Sequence, residues 1–482
     1  MNKPILRLYG LVLVLFSALI FATSWWTVFG AERLRENPNN RRALLEQARI
    51  KRGTITARDG RVLARSVPGV GDTYRRIYPA GGLFSQTIGY AFTNFGRAGL
   101  EQYRNPELTG ERPELTSVFD QLTGKQAVGD DVRTNLDPNA QRVAIDAMQG
   151  RKGSIVALEP ATGKIRVMVS VPGFDPNRIP EDLGKLNTDN ENSPLLNRAT
   201  QAQYPPGSTF KVVTATAAID SGKYTPDSVV DGSSPKVISG VPLSNSGGAD
   251  FGPIDLTTAL TNSVNTVWAE VGEKVGISTL SEYMLRYGFY AKPPLDYPAD
   301  QRIASGERGP NGELLAPTSG AIDTGRMAIG QDKLAVTPLQ MAMVAGTVAN
   351  GGVLVAPRIT DRVVDVDGRV RDDVKTTEVD RVMKPSTARQ LTTMMANVVR
   401  EGTGTAAALS GIAVAGKTGT AEKNPSINLN QVWFIGFAPV DNPTVAIAVT
   451  IENSIGGQGG TVAAPVAKQV LEALLGPGGG TG

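Results

Sequence analysis

Apolar residues are most concentrated near the N-terminus, where residues 8–29 (LYGLVLVLFSALIFATSWWTVF) contain no charged side chain. As an α-helix, this segment would rise about 33 Å, which is enough to cross the roughly 30 Å hydrocarbon core of a bilayer. Trp25 and Trp26 lie near its far end, and tryptophan side chains favour the interface between membrane and water. The pattern therefore predicts a transmembrane anchor at residues 8–29, preceded by a short tail at residues 1–7.

Basic residues on the two sides of this segment bear on its orientation. Lys3 and Arg7 precede it, which favours a cytoplasmic N-terminus and an extracytoplasmic position for the rest of the chain. The arginines that follow count less, because the rule weakens before a long translocated domain; they are Arg33, Arg35, Arg41 and Arg42. A cleaved signal peptide, with Val28-x-Gly30 as its cleavage site, is the alternative, but the apolar core of a signal peptide usually spans only about 7–15 residues.

The region from residue 30 to about residue 150 is polar, rich in arginine and interrupted by glycine and proline. Residues 52–66 (RGTITARDGRVLARS) predict two short strands joined at the Asp59-Gly60 turn, because such a dipeptide between strand-like runs favours a hairpin. Residues 96–110 predict a short helix that ends in a turn. Residues 137–148 (DPNAQRVAIDAM) predict a helix that begins with an aspartate cap and a proline.

After residue 150 the chain carries longer apolar runs. Residues 153–172 predict a strand, a turn and a second strand. Three further β-rich runs lie between residues 411 and 454, and the Asp441-Asn442-Pro443 turn joins the last two as antiparallel neighbours. Helices are predicted at residues 208–220, 265–275, 337–349 and 464–475. The segments without a clear pattern, which we expect to be loop or irregular, are residues 187–203, residues 222–262 and a disordered tail at residues 477–482.

The composition of the whole chain restricts its chemistry. Its 482 residues, of which 41% are hydrophobic and 20% are charged, suffice for two or three domains. The formal net charge of +3 is small for this size and gives no reason to expect a nucleic acid partner. The chain has no histidine and no cysteine, which excludes Ser-His-Asp triads, Cys-His pairs and metal sites built on those ligands. A base for nucleophilic chemistry must then be a lysine, a carboxylate or a tyrosine.

Ser208 and Lys211, within YPPGSTFKVVTATAA, are the candidate nucleophile and base. Positions i and i+3 of a helix share a face, so Lys211 can reach the Ser208 hydroxyl, and a buried lysine can lose its proton. Taken alone, the pair is better explained as a helix cap followed by a solvated lysine, because serine is a good N-cap. A second Ser-x-x-Lys match at residues 233–236 lies in a Gly/Ser loop where Pro235 prevents a helix, so we interpret it as coincidental.

Two further motifs supply what a catalytic serine needs besides a base. Ser263-Val264-Asn265 begins a predicted helix, and Lys417-Thr418-Gly419 lies on a predicted strand. Together they offer a second proton relay, an amide for the substrate, a cation for a carboxylate and backbone N–H groups for an oxyanion. Gly419 leaves space for a substrate or for the Ser208 helix to lie against the strand. The order of the three motifs favours a serine–lysine acyl-transfer site.

These motifs resemble those of class B penicillin-binding proteins, the membrane-anchored D,D-transpeptidases of cell-wall synthesis, over nearly the whole chain. RGTITARDGRVLA and GLEQYRNPELTG are similar to pedestal motifs of the family. The segments that resemble its transpeptidase motifs are PLLNRATQAQYPPGSTFKVVTA, TNSVNTVW, AIGQDKLAVTPLQMAMVAGTVANGG and AGKTGTAE. The short pedestal is most similar to that of the actinobacterial penicillin-binding protein A group.

The resemblance implies an α+β fold with two domains outside the membrane. A small, mostly β pedestal domain is expected at residues 30–150. A transpeptidase domain is expected at residues 151–476, with an antiparallel five-stranded sheet, flanking helices and an all-helical subdomain.

The resemblance also implies a reaction. Ser208 would attack the carbonyl of the penultimate D-Ala of a D-Ala-D-Ala stem peptide, and Lys211 would accept its proton. D-Ala would leave, with Ser263 and Lys417 carrying the proton to the leaving amine. An amine from a neighbouring stem would then attack the acyl-enzyme and form the cross-link. β-Lactams, which mimic the D-Ala-D-Ala end, should acylate the same serine.

The remaining motif residues would bind the substrate. Asn265 would bind a backbone amide of the donor, and Thr418 and Thr420 would hold its terminal carboxylate beside Gly419. The backbone N–H groups of Ser208 and Thr420 would form the oxyanion hole. No cofactor and no metal are implied.

The implied partners are peptidoglycan stem peptides on nascent, lipid-II-derived glycan, and a polytopic lipid-II glycosyltransferase reached through the anchor and pedestal at the plasma membrane. Two alternatives stay open. A β-lactamase or D,D-carboxypeptidase passes the same acyl group to water, but a secreted β-lactamase needs neither anchor nor pedestal. A non-catalytic β-lactam sensor or division scaffold binds without turnover, but sensors usually carry more membrane spans.

Overall fold

The computed structural model describes residues 3–25, 47–110 and 128–476. The described helices are α1 (Lys3–Trp25), α2 (Ser85–Ile88), α3 (Gly99–Tyr103), α4 (Asn105–Thr109), α5 (Pro138–Met148), α6 (Ile179–Thr188), α7 (Lys211–Asp220), α8 (Leu256–Thr261), α9 (Asn265–Val275), α10 (Ile277–Arg286), α11 (Thr324–Ala328), α12 (Pro338–Ala349), α13 (Pro385–Arg400) and α14 (Ala464–Leu475).

The described strands are β1 (Ile55–Thr56), β2 (Val62–Pro68), β3 (Tyr74–Ile77), β4 (Ala91–Phe92), β5 (Gly96–Arg97), β6 (Asp131–Thr134), β7 (Gly153–Leu158), β8 (Ile165–Val171), β9 (Val229–Asp231), β10 (Lys236–Ile238), β11 (Val241–Leu243), β12 (Pro253–Asp255), β13 (Gly306–Glu307), β14 (Leu334–Ala335), β15 (Val353–Val355), β16 (Thr360–Val364), β17 (Val370–Asp373), β18 (Glu378–Arg381), β19 (Ala415–Asn424), β20 (Leu429–Ala438) and β21 (Val445–Ile455). The described chain divides into two compact units, one made of residues 3–25, 47–51 and 67–75 and the other of residues 52–66, 76–110 and 128–476.

Helix α1 is the apolar segment of the first unit. It begins at Lys3 rather than at residue 8, all of its residues are exposed, and it is long and apolar enough to cross a membrane. Exposed apolar side chains along a whole helix suit a lipid environment, because every backbone group is already paired within the helix. The predicted helical span is thus confirmed up to Trp25. The described residues do not include residues 26–29, the Val28-x-Gly30 site, the four arginines that follow it or the tail at residues 477–482.

One sheet of the second unit contains the predicted hairpin. β1 and β2 pair antiparallel, and Gly60 in the turn adopts a left-handed φ of 84° that favours glycine. β6 pairs parallel with β1, and the β16–β17 hairpin extends the sheet antiparallel beyond β6. Residues 360–373 therefore complete a sheet that begins in the region predicted as the pedestal. The domain boundary near residue 150 stays a prediction. No local sequence pattern indicates that β16 and β17, which lie far along the chain, join this sheet.

A five-stranded antiparallel sheet with the order β19–β20–β21–β7–β8 forms the centre of the unit. Val156 and Leu158 of β7 belong to the core shared with α7 and α12, whereas Ile155 and Ala157 belong to the core shared with α5 and α14. Because both faces are covered by helices, the strands are continuous apolar runs rather than alternating ones. Helices α7, α9, α10 and α11 pack on one another. The predicted α+β fold with its central five-stranded sheet is confirmed.

Most predicted helices begin and end near the expected residues. Asp137 caps α5 by accepting from the N–H groups of Asn139 and Ala140, and α9 and α14 match their predicted bounds. The predicted helix in residues 96–110 is two short helices, because Pro106 sits in the first turn of α4. Residues 222–262 are more ordered than predicted, with β9 to β12 and α8. Their strands have only three residues, too few for a periodic signal.

Candidate active site

Ser208 lies in a 3-10 turn, Gly207–Phe210, that leads directly into α7. The prediction of one continuous α-helix from Ser208 is wrong for this first turn, which Gly207 enters with a left-handed φ of 52°. Residues three apart in a 3-10 turn are eclipsed, so Ser208 and Lys211 project from the same side. Ser208 is half-buried, whereas Lys211 is fully buried at the start of α7.

The amine of Lys211 is held by the Ser-x-Asn motif. Lys211 Nζ donates to Ser263 O at 2.7 Å and to Asn265 Oδ1 at 2.7 Å, and it lies 3.2 Å from Ser263 Oγ. Across residues 47–110 and 128–476, Ser208 Oγ forms no hydrogen bond, so its hydroxyl is free to turn toward a substrate or toward Lys211. The hydrogen bond between a nucleophile and its base is often long or unformed in a free enzyme and shortens when substrate binds.

Ser263 lies between the two lysines of the site. Lys417 Nζ on β19 donates to Ser263 Oγ at 2.8 Å and to Thr418 O at 3.0 Å. Ser263 has a left-handed φ of 58°, a conformation that costs a non-glycine residue about 1–3 kcal/mol and persists only where its surroundings fix it. The structure thus brings Lys211, Ser263, Asn265 and Lys417 together.

Burial changes the protonation of both lysines. Burial without a carboxylate partner in the site lowers the pKa of Lys211 well below its usual value, and the charge of Lys417 lowers it further. Burial lowers the pKa of Lys417 to about 7. The depressed pKa makes Lys211 a neutral amine over a wider range of pH than an exposed lysine, and in that form it can accept a proton.

A neutral Lys211 gives the three side chains a consistent direction of hydrogen bonding. Its amine uses two hydrogens for Ser263 O and Asn265 Oδ1 and keeps a lone pair. The ammonium of Lys417 donates to Ser263 Oγ, so the Ser263 hydrogen is left for an acceptor such as Lys211. The array can therefore pass a proton in steps between Lys211 and Lys417 through Ser263.

The rate constant for acylation of the free protein is expected to follow a bell-shaped pH profile. As pH falls through the depressed pKa of Lys211, the base is protonated and the rate drops. As pH rises through about 7, Lys417 loses the charge that donates to Ser263 Oγ, and the rate drops again. The measurement is the second-order labelling rate with a fluorescent penicillin at each pH.

Lys417→Arg is the control for the alkaline limb of that profile. An arginine stays charged to far higher pH, so the limb should move upward or disappear in this variant. A wild-type profile that only rises through neutral pH would contradict the assignment of a cationic Lys417.

Glycines let the Ser208 turn lie close to β19. Gly207 N donates to Gly330 O at 2.9 Å, and a Cβ on Gly330 would lie 2.0 Å from Gly207 O. A Cβ on Gly419 would lie 2.7 Å from Pro206 O. A side chain at Gly419 would push the Ser208 turn away from β19, and one at Gly330 would push the turn away from residue 330. The prediction that Gly419 lets the Ser208 segment lie against the strand is confirmed, whereas its role in substrate binding stays a prediction. Gly330 was not predicted, since its only signal is its place in AIGQDK.

The threonines of β19 are engaged by loops that the sequence did not single out. Thr418 is 6% exposed, and its Oγ1 lies 2.6 Å from Thr403 Oγ1. Thr420 Oγ1 accepts from Gly459 N at 3.1 Å. Thr418 and Thr420 are two residues apart on one strand and so face the same side. Thr403 and Gly459 have no local motif that would have revealed these contacts.

The second Ser-x-x-Lys match has different surroundings. Lys236 forms ion pairs with Asp231 and Glu270, and Ser233 Oγ donates to Asp231 at 2.6 Å. Lys236 begins β10 and Ser233 lies in the loop between β9 and β10, so the pair is not at a helix start. In the described part of the chain, no group of three or more Asp or Glu side chains is placed to hold a metal ion.

Two families match this chain. The penicillin binding protein transpeptidase domain matches residues 153–472, which include Ser208, Ser263 and Lys417. The penicillin binding protein A dimerisation domain matches residues 52–132, within the region predicted as the pedestal.

Similar proteins match along most of their length. Peptidoglycan D,D-transpeptidase PbpA of Mycolicibacterium smegmatis is 34% identical over 98% of this chain and 99% of its own. The protein of the same name from Mycobacterium tuberculosis is also 34% identical, over 98% of this chain and 99% of its own. A structure of penicillin-binding protein A from M. tuberculosis, a ceftriaxone acyl-enzyme complex, has a TM-score of 0.80 and 32% identity over 90% of this chain and 100% of that chain. The penicillin G acyl-enzyme complex has a TM-score of 0.77 and 33% identity over 88% and 99%.

Proposed function

Because this chain belongs to the penicillin-binding protein transpeptidases, we propose that Ser208 forms the acyl-enzyme of a peptidoglycan D,D-transpeptidase. The protein is a serine-type D,D-transpeptidase of class B that acts in cell-wall synthesis and is acylated by β-lactams. The observation that supports Ser208 most strongly is its position, one eclipsed turn before a buried Lys211 whose pKa is depressed.

The first half of the reaction forms the acyl-enzyme. Ser208 Oγ attacks the carbonyl carbon of the penultimate D-Ala while Lys211 Nζ takes its proton. The backbone N–H groups of Ser208 and Thr420 stabilise the oxyanion. When the C–N bond breaks, the proton reaches the leaving amine through Ser263, which Lys417 polarises, and D-Ala departs.

The second half forms the cross-link. An amine of a neighbouring stem peptide attacks the ester carbonyl, Lys211 takes the amine proton and Ser208 Oγ is released with a proton. Asn265 holds a backbone amide of the donor, and Thr418 and Thr420 hold its terminal carboxylate before D-Ala leaves. Gly419 leaves the donor room along β19.

Turnover of a natural donor tests this function directly. The full chain in detergent micelles is given nascent glycan carrying D-Ala-D-Ala stems, and free D-Ala and linked muropeptides are measured by mass spectrometry. We expect linked dimers and D-Ala in equal amounts, because each cross-link releases one D-Ala. D-Ala without dimers would indicate a carboxypeptidase. Penicillin binding without either product would indicate a sensor or scaffold.

The anchor sets where the reaction takes place. Helix α1, with Lys3 and Arg7 at its start, supports a single-pass plasma-membrane protein with a cytoplasmic N-terminus and an extracytoplasmic transpeptidase domain. Protease added to intact protoplasts should then degrade the domain containing Ser208. Full protection of that domain would refute this orientation.

A polytopic lipid-II glycosyltransferase is the partner that this arrangement suits, since it would deliver new glycan beside the anchor. Detergent-solubilised complexes should contain both proteins, and a variant with α1 exchanged for an unrelated span should lose the partner. Retention of the partner through the exchanged span would place the contact elsewhere.

A further inference from the structure

The hydroxyls of Thr418 and Thr420 can both donate to one carboxylate only if neither gives its hydrogen to an acceptor within the protein. A hydroxyl has one hydrogen and two lone pairs. If Thr418 or Thr420 gave its hydrogen to a protein acceptor, it would present a lone pair to the carboxylate, and the two would repel.

Thr420 meets this condition through the backbone. Gly459 N lies 3.1 Å from Thr420 Oγ1, and a backbone N–H can only donate. Thr420 Oγ1 is therefore the acceptor in this pair, and its own hydrogen stays available on the side where the substrate binds. A Cβ on Gly459 would lie 2.5 Å from Gly419 O, so the glycine is what allows this close approach.

Thr418 has no such backbone donor and relies on another hydroxyl. Thr403 Oγ1 lies 2.6 Å from Thr418 Oγ1, and either oxygen could carry the shared hydrogen. Thr418 is 6% exposed, so water has little access to it. If Thr403 donates to Thr418, then Thr418 accepts a hydrogen bond from the protein, as Thr420 does, and keeps its own hydrogen for the carboxylate.

The backbone around Thr403 fixes this hydroxyl against β19. Thr403 N donates to Thr261 O at 3.3 Å, just before the Ser-x-Asn motif. A Cβ on Gly460 would lie 2.3 Å from Thr403 O, and a Cβ on Gly402 would lie 2.3 Å from Thr261 O. The loop that contains Thr403 therefore packs between the segment that precedes Ser263 and the turn that follows β21.

We propose that Thr403 is a positioning residue for the donor carboxylate: its hydroxyl donates to Thr418 Oγ1 and so directs the Thr418 hydrogen onto that carboxylate. The inference rests on the proposed function and adds a residue that recognises the substrate through Thr418 rather than by contact with the reacting atoms. It predicts that Thr403 matters only for donors that carry a negative charge at the terminal position.

Two donor substrates distinguish this positioning role from a general structural role of Thr403 in the site. One is a D-alanyl thioester with a free terminal carboxylate, and the other is its methyl ester. In Thr403→Val, kcat/KM for the acid should fall roughly three- to tenfold, mainly through KM, which is the loss expected for one hydrogen bond. The ester should be turned over at its wild-type rate, and Thr403→Ser should restore the preference for the acid.

Other outcomes overturn the proposal in distinguishable ways. If Thr403→Val lowers kcat/KM equally for the acid and the ester, Thr403 is a structural residue. If kcat/KM is unchanged for both, Thr403 is not the hydrogen-bond donor that orients Thr418. Thr393→Val on α13 removes an exposed threonine away from the site and controls for loss of a surface hydroxyl. Wild-type protein that turns over neither donor would overturn the proposed function together with this inference.

Discussion

Ser208→Ala is expected to abolish D-Ala release and cross-linking, with a loss of roughly a millionfold in kcat, as is typical when the nucleophile of an acyl-transfer enzyme is removed. The remaining groups could still bind the donor, but without Oγ no ester can form. The measurement is the assay of D-Ala and linked muropeptides with the full-length variant.

The chain provides a matched control for this loss. Ser233 begins the other Ser-x-x-Lys sequence, so Ser233→Ala makes the same chemical change in the loop before β10. Its activity should equal that of the wild type. Cross-linking that survives in Ser208→Ala would move the nucleophile elsewhere.

Lys211→Met should lower the second-order rate of acylation by benzylpenicillin by about 10²–10⁴, the usual contribution of a general base. Methionine fills the buried space of the lysine stem but cannot take the proton of Ser208. The substitution removes the cost of burying the amine but leaves Ser263 O and Asn265 Oδ1 without their donor. These effects oppose each other, so the melting temperature of Lys211→Met should stay close to that of the wild type.

Slow acylation by a stable protein would separate lost chemistry from lost folding. Lys236→Met is the matched control, since Lys236 is the lysine of the surface Ser-x-x-Lys match and pairs with Glu270 instead of a serine. It should acylate at the wild-type rate. A loss of less than tenfold in Lys211→Met would assign the base to another group.

The elements that the sequence predicts well are the longer helices and the longer apolar strands. Helices α9, α12 and α14 have 11 or 12 residues, and strands β7, β8, β20 and β21 are largely apolar runs of 6 to 11 residues. The three-residue strands between residues 229 and 255 have no such run, and their pairing is decided by contacts with the rest of the domain. The same holds for β16 and β17, which join a sheet that begins some three hundred residues earlier.

The residues of the active site also differ in how far the sequence predicts their positions. Ser208 and Lys211 are three residues apart, so their proximity follows from local geometry, whereas the meeting of Ser263 and Lys417 was expected from motif order and from the family. Thr403 and Gly330 approach the site through tertiary contacts alone. A threonine or a glycine in a loop carries no signal of its own, so only the folded chain reveals their contacts.

The stability of the penicillin adduct tests the central claim most directly. The full chain in detergent micelles is incubated with benzylpenicillin, its intact mass is followed over time, and the labelled peptide is mapped. A serine–lysine transpeptidase should gain the mass of one penicillin, keep it for hours and carry it on the peptide containing Ser208. Absence of an adduct on folded protein, or an adduct that hydrolyses as fast as it forms, would contradict the account.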